Sequence, residues 1–485
     1  MSEYPATLCD LKAIDTCAHA GAFLAEQGRE GQFLWRECDF SAQVAADTAE
    51  AIYVKADCID ASSGAWVRVY DGQNINTSWC GGDWQAAIDL AYALGVSTVT
   101  PTGTHLAPVP LKMRAGVTLH NFAGNATLKM ADGGQLLTLL DFITYAATGS
   151  KVIGITVDGN REHNTDDLLS KHLVIIHDTS DVTIQRCKII NSNGNGIYVR
   201  NGFRAVIDDN KFSNIFVAPV IVYASIKSNY RVEITNNTID GEWGQHAIIV
   251  KWSNFAKVQG NYIVGQCIRG FSVNVTYGSS VNSLSGNYFY PSCVGKFVIF
   301  NGGKEGLITI FASSTLVSTN LNIPNPGAVP AAWGNGDLIS IQGSDDCDIS
   351  ENLCYGGASL GISVFSDGTQ GAYRNRLYKN RVVNQGSAGI SVQTVLPTYV
   401  LSTLIEGNSV VDCGLNGGAS ALAYNVGIAV RGGANTQRVS VMNNLIEGYA
   451  ATMDYGIAFD ASVYMRTNAG NVINGTTGGK QIQNP

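Results

Sequence analysis

A six-residue phrase returns along most of this chain: an apolar residue, two further positions, Asn, any residue, and a second apolar residue. It is carried by Asn210, Asn237, Asn261, Asn287, Asn352, Asn380, Asn408, Asn444 and Asn471, at successive gaps of 27, 24, 26, 65, 28, 28, 36 and 27 residues. Cys187 holds the same place one repeat earlier, and Thr156 before that. A second phrase falls between these marks: LVIIH (173–177), GIYVR (196–200), PVIVY (219–223), AIIVK (247–251), GFSVN (270–274), FVIFN (297–301), LISIQ (338–342), GISVF (361–365), GISVQ (389–393), GIAVR (427–431) and GIAFD (456–460). Each repeat thus offers short strands of alternating apolarity separated by Gly, Asn, Ser and Asp turns. Strands this short cannot fold alone. Stacked in parallel, they bury a continuous core and pair with the repeats on either side. An antiparallel sandwich has turns about every 8–12 residues and no register held over so many repeats. The expected fold is therefore all-β, a right-handed parallel β-helix of about 11–12 coils. The recurring Asn suits one turn of each coil, because Asn tolerates left-handed backbone and its amide can bond along a stacked ladder.

The 65-residue gap implies an excursion, placed at 302–337, where GGKEGLITIFASSTLVSTNLNIPNPGAVPAAWGNGD leaves the pattern. Upstream the character changes. Residues 1–82 read as a small α+β domain, with a helical stretch in LKAIDTCAHAGAFLAEQG and strands in GQFLWR, EAIYVKA and AWVRVYDG. Residues 83–116 read as a capping helix, DWQAAIDLAYALG, and a first strand; Asp83 is its N-cap and Gly95 its stop. The coils are expected from 117 to 485.

Composition excludes several classes. With 45% apolar and 14% charged residues the chain can bury a large core and is not disordered. A net charge of −8 argues against a nucleic-acid partner. No apolar run reaches the roughly 18 residues of a membrane span, so no membrane insertion is expected. MSEYPATLCDLK has no basic stretch leading into an apolar one, so no classical signal peptide is expected. The 11 cysteines show no CxxC pair, which points to reduced, mostly buried thiols rather than a disulfide frame or a zinc site. Acidic turns such as SDDCD (344–348) gather oxygen ligands suited to Ca²⁺, but without an EF-hand pattern; the expectation is no cofactor.

In GIYVR, Ile197 and Val199 face inward, which turns Tyr198 and Arg200 outward. The same frame puts His177, Arg200, Tyr223, Lys251, Asn274, Asn301, Gln342, Phe365, Gln393, Arg431 and Asp460 in one stripe, with neighbours roughly 4.8 Å apart. The stretch from His177 to Lys251 mixes cations, a candidate base and aromatic faces. A uronate could be neutralised there by Arg200 or Lys251 and deprotonated by Tyr223, Lys251 or His177, which is lyase chemistry. The bland alternative is a solvated face. Hydrolysis needs two carboxyls instead. The best cluster is TIDGEWGQH (238–246), with Asp240 and Glu242 as carboxyls, Trp243 as a stacking face and His246 beside them. Asp158, in ITVDGNREHNTDD (155–167), holds the coil position of Asp240 and brings Arg161 with it. Against this, Asp-Gly pairs also simply make turns.

The stretches GREGQFLWR (28–36), GAWVRVYDG (64–72), STVTPTGTHL (97–106) and GVTLHNFAGNATLKM (116–130) resemble the N-terminal coils of pectate-lyase-like β-helix proteins, above all phage tailspikes and prophage polysaccharide depolymerases. The resemblance implies a homotrimer that acts outside the cell on a bacterial capsule, exopolysaccharide or O-antigen, as a virion or phage-tail component. It also places a glycoside hydrolase slightly ahead of a lyase. A glycan-binding solenoid without catalysis and a structural fibre are the competing classes.

Overall fold

The computed structural model describes residues 3–483 apart from 135, 144–145, 165–170, 224–228, 244–245, 252, 268–272, 277–282, 286–287, 292–294, 302–303, 311–336, 356–359, 367–369, 395, 415–424, 450–452, 461 and 477–479; for 143, 229–230, 241–243, 254, 264–310 and 480–483 only the backbone is described. Three sheets, of 14, 13 and 13 strands, run the length of the molecule. Each coil contributes one strand to each in turn: for example Thr183–Gln185 to the first sheet, Lys188–Ser192 to the second and Asn195–Arg200 to the third. Every pairing within these sheets is parallel and joins one coil to the next. This is the parallel β-helix that the repeat predicts.

The coils begin earlier than residue 117. Asn74–Asn76 and Thr98–Thr100 already pair in the first sheet, and Thr104–Ala107 and Leu111–Lys112 open the second and third. The alternation there is carried by Thr and Asn rather than by repeated apolar phrases, which is why the sequence pattern starts late and undercounts the coils. The helix Trp84–Leu94 caps this end. Asp83 accepts from the N–H groups of Gln85 and Ala86, Gly95 closes it in left-handed backbone, and Trp84, Ala87, Ile88, Leu90 and Ala91 are buried against the solenoid core. Capping of this kind keeps an open coil from recruiting another chain.

Upstream lies a four-stranded antiparallel sheet in the order Gly21–Leu24, Gly31–Arg36, Ala65–Arg68, Tyr53–Val54. The expected helix over 11–28 is confined to Leu8–Lys12. The Asp15 carboxylate takes the Cys17 N–H at 3.0 Å, a local turn that competes with helix, and GAFL pairs as a strand instead. Among the described residues there is no disulfide; Cys80, Cys187, Cys347, Cys354 and Cys413 are buried, whereas Cys9, Cys17, Cys38 and Cys58 of the N-terminal region are exposed.

The asparagine ladder is present, with one correction. Each amide donates to the next along the solenoid: Asn210 to Asn237 at 3.0 Å, Asn237 to Asn261 at 2.9 Å, Asn352 to Asn380 at 2.8 Å, Asn380 to Asn408 at 3.0 Å, and Asn408 to Asn444 and Asn444 to Asn471 at 2.9 Å. Asn287 lies outside the described residues. The left-handed residue of the turn, however, is the one before each ladder position: Asp209, Asn236, Gly260, Glu351, Lys379, Gly407, Asn443 and Gly470 all have φ between 52° and 66°. That residue bends the chain from the first sheet into the second. The ladder Asn is thereby freed to turn inward, and its amide satisfies the buried backbone there, as in Asn237 Nδ2 donating to the Ile207 carbonyl at 2.9 Å.

The excursion leaves one strand earlier than expected. Gly295–Asn301 pairs antiparallel with Lys304–Ile310 as a hairpin outside the three sheets, while Val273–Thr276 pairs directly with Ile339–Gln342. The FVIFN phrase is therefore not a rung.

Candidate functional site

The third sheet carries the stripe. Its inward rows, such as Ile197, Val199, Val220, Val222, Ile248 and Val250, are fully buried. Period-2 alternation then leaves two outward rows. One runs Ile175, Tyr198, Ile221, Ile249, Asn274; the other runs His177, Arg200, Tyr223, Lys251, Thr276. The four residues that the sequence groups most densely thus stand on consecutive rungs.

Two expected members of the stripe do not belong to it. Asn274 lies on the other outward row, opposite Ile249 and Ser340, and Thr276 takes the place beside Lys251. Val273 takes the place opposite Ile248 that GFSVN gives to Phe271; such a two-residue slip keeps every apolar residue on the same face and so leaves no trace in the pattern. Asn301 closes the hairpin opposite Lys304. Beyond the excursion the row resumes with Gln342, Phe365 and Gln393.

An aromatic stack follows this face. His172 lies on Tyr198 with ring centres 4.2 Å apart and planes 8° apart; Tyr198 stacks on Tyr223 at 6.4 Å; the Lys251 Nζ sits 5.3 Å from the Tyr223 ring centre. The last is within cation–π range. Burial pushes the His172 imidazole down to about 4, so the ring is neutral near pH 7. Its Nδ1 lies 3.0 Å from Asn195 Nδ2; with that amide donating, the ring proton is on Nε2. Burial also lowers the Lys251 ammonium and raises the Tyr198 phenol. Arg200 Nε is buried without a hydrogen-bond partner among the described residues, which is costly for a charged donor unless a ligand meets it. The His177 ring is 3.0 Å from Asp178.

Of the candidate carboxyls, Asp158 does not come near Asp240. Asp158 and Asp240 share one outward row of the second sheet, but Ile190 and Ser213 stand between them. Three rungs put them roughly 14 Å apart, beyond the about 5–9.5 Å that either hydrolytic geometry uses. Asp158 is occupied by the Asn160 N–H at 2.8 Å and the Asn191 amide at 3.0 Å, the turn role that Asp-Gly also suits. Asp240 faces Lys211 at 3.3 Å. Arg161 donates to Asn214 at 3.0 Å and lies 4.8 Å over Phe216, two coils from its own turn. The backbone places Glu242 opposite Gln266 and Trp243 opposite Ile215 and Cys267; their side chains lie outside the described residues. His246 is half-buried just before the strand Ile248–Lys251. The acidic turn at 344–348 is also engaged: Asp345 accepts the Tyr373 N–H at 2.9 Å, and Asp346 binds Arg374 at 2.7 and 2.6 Å. Among the described residues, no group of three His, Cys, Asp or Glu gathers as a metal site.

Sequence reasoning missed His172. It opens the HLVIIH strand, and the signal was a second His five residues before His177; the alternation was read only from the strand's far end.

The family described as "Right handed beta helix region" matches residues 172–336. No curated protein matches the chain. Solved structures with similarity include the A-module of mannuronan C-5 epimerase AlgE6 of Azotobacter vinelandii (17% identity, covering 82% of this chain and 90% of that one, TM-score 0.46). The surface adhesin PfbA of Streptococcus pneumoniae is similar at 16% identity, over 85% and 100% of the two chains, with TM-score 0.46. Tailspike protein 2 of bacteriophage CBA120 is similar at 11% identity, over 96% and 58%, with TM-score 0.42. The parallel coil register, together with the family match inside it, makes this chain a right-handed parallel β-helix protein.

Proposed function

We propose that this protein is a polysaccharide-degrading enzyme that cleaves an acidic glycan within its length, along the outer face of the third sheet, by β-elimination. The observation that carries the reading is the placement of His177, Arg200, Tyr223 and Lys251 on consecutive rungs, beside a stack of neutral His172, Tyr198 and Tyr223. The stack offers flat faces for sugar rings. Arg200 meets the uronate carboxylate and stabilises the charge that develops when the neighbouring proton leaves. Lys251, its ammonium destabilised by burial, takes that proton from carbon in its neutral form. The electron pair forms the C=C bond, the glycosidic C–O bond breaks, and the Tyr223 hydroxyl protonates the departing oxygen. Hydrolysis, slightly preferred on resemblance, would rest on Asp240 with Glu242, because Asp158 stands three rungs from Asp240.

The sequence resemblance to tailspike depolymerases supports a bacterial surface polysaccharide as substrate, a homotrimer as the assembly and action outside the cell. The test is incubation with acidic capsular and exopolysaccharides. Elimination yields shortened chains that carry an ultraviolet-absorbing unsaturated end. New reducing ends without that absorbance would establish hydrolysis, and binding without any loss of chain length would establish a non-catalytic glycan-binding solenoid.

A further inference from the structure

Toward the N-terminal end of the third sheet there is a cavity of about 250 Å³ lined by Lys112, Met113, Arg114, Asp141 and Ala146. That is smaller than the about 300–1,000 Å³ of drug-sized sites and far larger than the about 30 Å³ share of one water. Asp141 is paired in register with Lys112 on one side and Ile175 on the other. It therefore stands on the outward row of Tyr198, two rungs or roughly 10 Å away. It is only 7% exposed, and its Oδ1 has no hydrogen-bond partner among the described residues. Arg114 is held at the rim by Asp89, Nε to Oδ1 2.6 Å. A buried carboxyl oxygen left unpaired beside the cation Lys112 is expensive for the fold and is a recurrent mark of a ligand site.

We propose that this cavity is a subsite for a single uronic acid residue, with the sugar carboxylate against Lys112 and Arg114 and a ring hydroxyl against the Asp141 carboxyl. The proposal rests on the reading of the third sheet as a track for an acidic glycan, and it extends that track beyond the aromatic stack. Burial pushes the Asp141 carboxyl up to about 6, against the opposing pull of Lys112. A neutral carboxyl donates and accepts at once, which suits a hydroxyl; an ionised one repels the incoming carboxylate. The other charged or titratable groups on the elements around it are Arg114, its partner Asp89, and His172 and His177 on the adjoining strand. Of these, His172 is neutral in the working range. Uronate binding therefore favours the protonated carboxyl, and by linkage affinity falls as pH rises through and beyond about 6.

The experiment is calorimetric titration of the full chain with D-glucuronate and with D-galacturonate, at about pH 5.5 and about pH 8. One of the two binds the native protein in the millimolar range, several-fold more weakly at the higher pH. Asp141→Asn removes that pH dependence, and Lys112→Met weakens binding by roughly tenfold, the size of one lost charged hydrogen bond. If neither uronate binds, or if Asp141→Asn keeps the native pH profile, the proposal is overturned. Lys251→Ala separates it from the function itself: polymer cleavage is lost while monosaccharide binding is unchanged. Intact cleavage without cavity binding overturns the subsite alone, and cavity binding without cleavage by the native protein overturns the elimination reading alone.

Discussion

The two ends of the third sheet share a backbone and an inward row, yet their outer faces are built differently. Between 172 and 251 the outward positions hold Ile175, Tyr198, Ile221 and Ile249 on one row and His177, Arg200, Tyr223 and Lys251 on the other. From 339 onward the first of those rows becomes Ser340, Ser363, Ser391, Ala429 and Ala458, all less than 7% exposed. There the small residues sit beneath cover. Leu360, Ala388 and Val426 pack with Ala429 and Ala458 into a second apolar cluster outside the solenoid core, and the buried Asp337 carboxylate accepts the Ser363 hydroxyl at 2.7 Å. On this row large side chains thus occur where the face is open and shrink to Ser and Ala where it is closed, while the other row stays half-buried through Gln342, Phe365, Gln393 and Arg431. The lesson is that an outward position in a solenoid is not automatically a surface position. On the Ile175–Asn274 row, the N-terminal half alone among the described residues offers a long ligand large side chains to lie on.

That contrast can be broken or sharpened in four ways. The largest effect is expected from the open half: Lys251→Ala and Tyr223→Phe should each lower turnover by at least about 100-fold, the usual weight of a general acid or base, with melting temperature nearly unchanged. Equal turnover in either variant would remove that residue from the chemistry. Next is a size swap between the halves, read by denaturant unfolding. Ser363→Tyr should cost about 3 kcal/mol through overpacking and loss of the Asp337 bond, whereas Ile221→Tyr on the open face should cost less than about 0.5 kcal/mol. Similar costs would mean that the closed half is not closed.

A smaller effect concerns Asp141, a buried member of the same outward row two rungs before Tyr198. Its carboxyl is raised in the folded chain, so the folded state holds the proton more tightly than the unfolded state does. Stability is then lost as pH rises from about 4 through 6, by at most about 3 kcal/mol. Asp141→Asn should therefore stabilise the protein at about pH 8 and leave it unchanged at about pH 4; a gain at both would assign the effect to something other than titration. The smallest expected change is in Asp158→Asn and Asp240→Asn, whose turnover should fall by less than about tenfold because neither carboxyl is needed for elimination. A loss of 100-fold or more in either would restore hydrolysis.

Much of this was legible in the residues. The Asn210 to Asn471 spacing implied stacked coils because a sandwich holds no register over so many repeats, and the alternation in GIYVR, PVIVY and AIIVK implied the His177–Lys251 row. What escaped did so for physical reasons. Asn274 was placed two residues out of register because such a slip preserves the faces. FVIFN alternates equally well in a hairpin. Asp158 and Asp240 occupy equivalent places in their coils, but the marks Thr156, Cys187, Asn210 and Asn237 already put three repeats, not one, between them. Asp141 gave no signal at all, because a lone carboxyl in TLLDFI looks like any outward residue until its cavity is seen.

The bypass at Val273–Thr276, which bonds straight to Ile339–Gln342, has a consequence of another kind. Between those two rungs, among the described residues, Gly295–Asn301 and Lys304–Ile310 pair with each other and not with the three sheets. Such a branch point is a grafting socket. Lineages could exchange what hangs there, in length and in chemistry, and a designer could splice in a foreign hairpin, while the rungs above and below keep their partners.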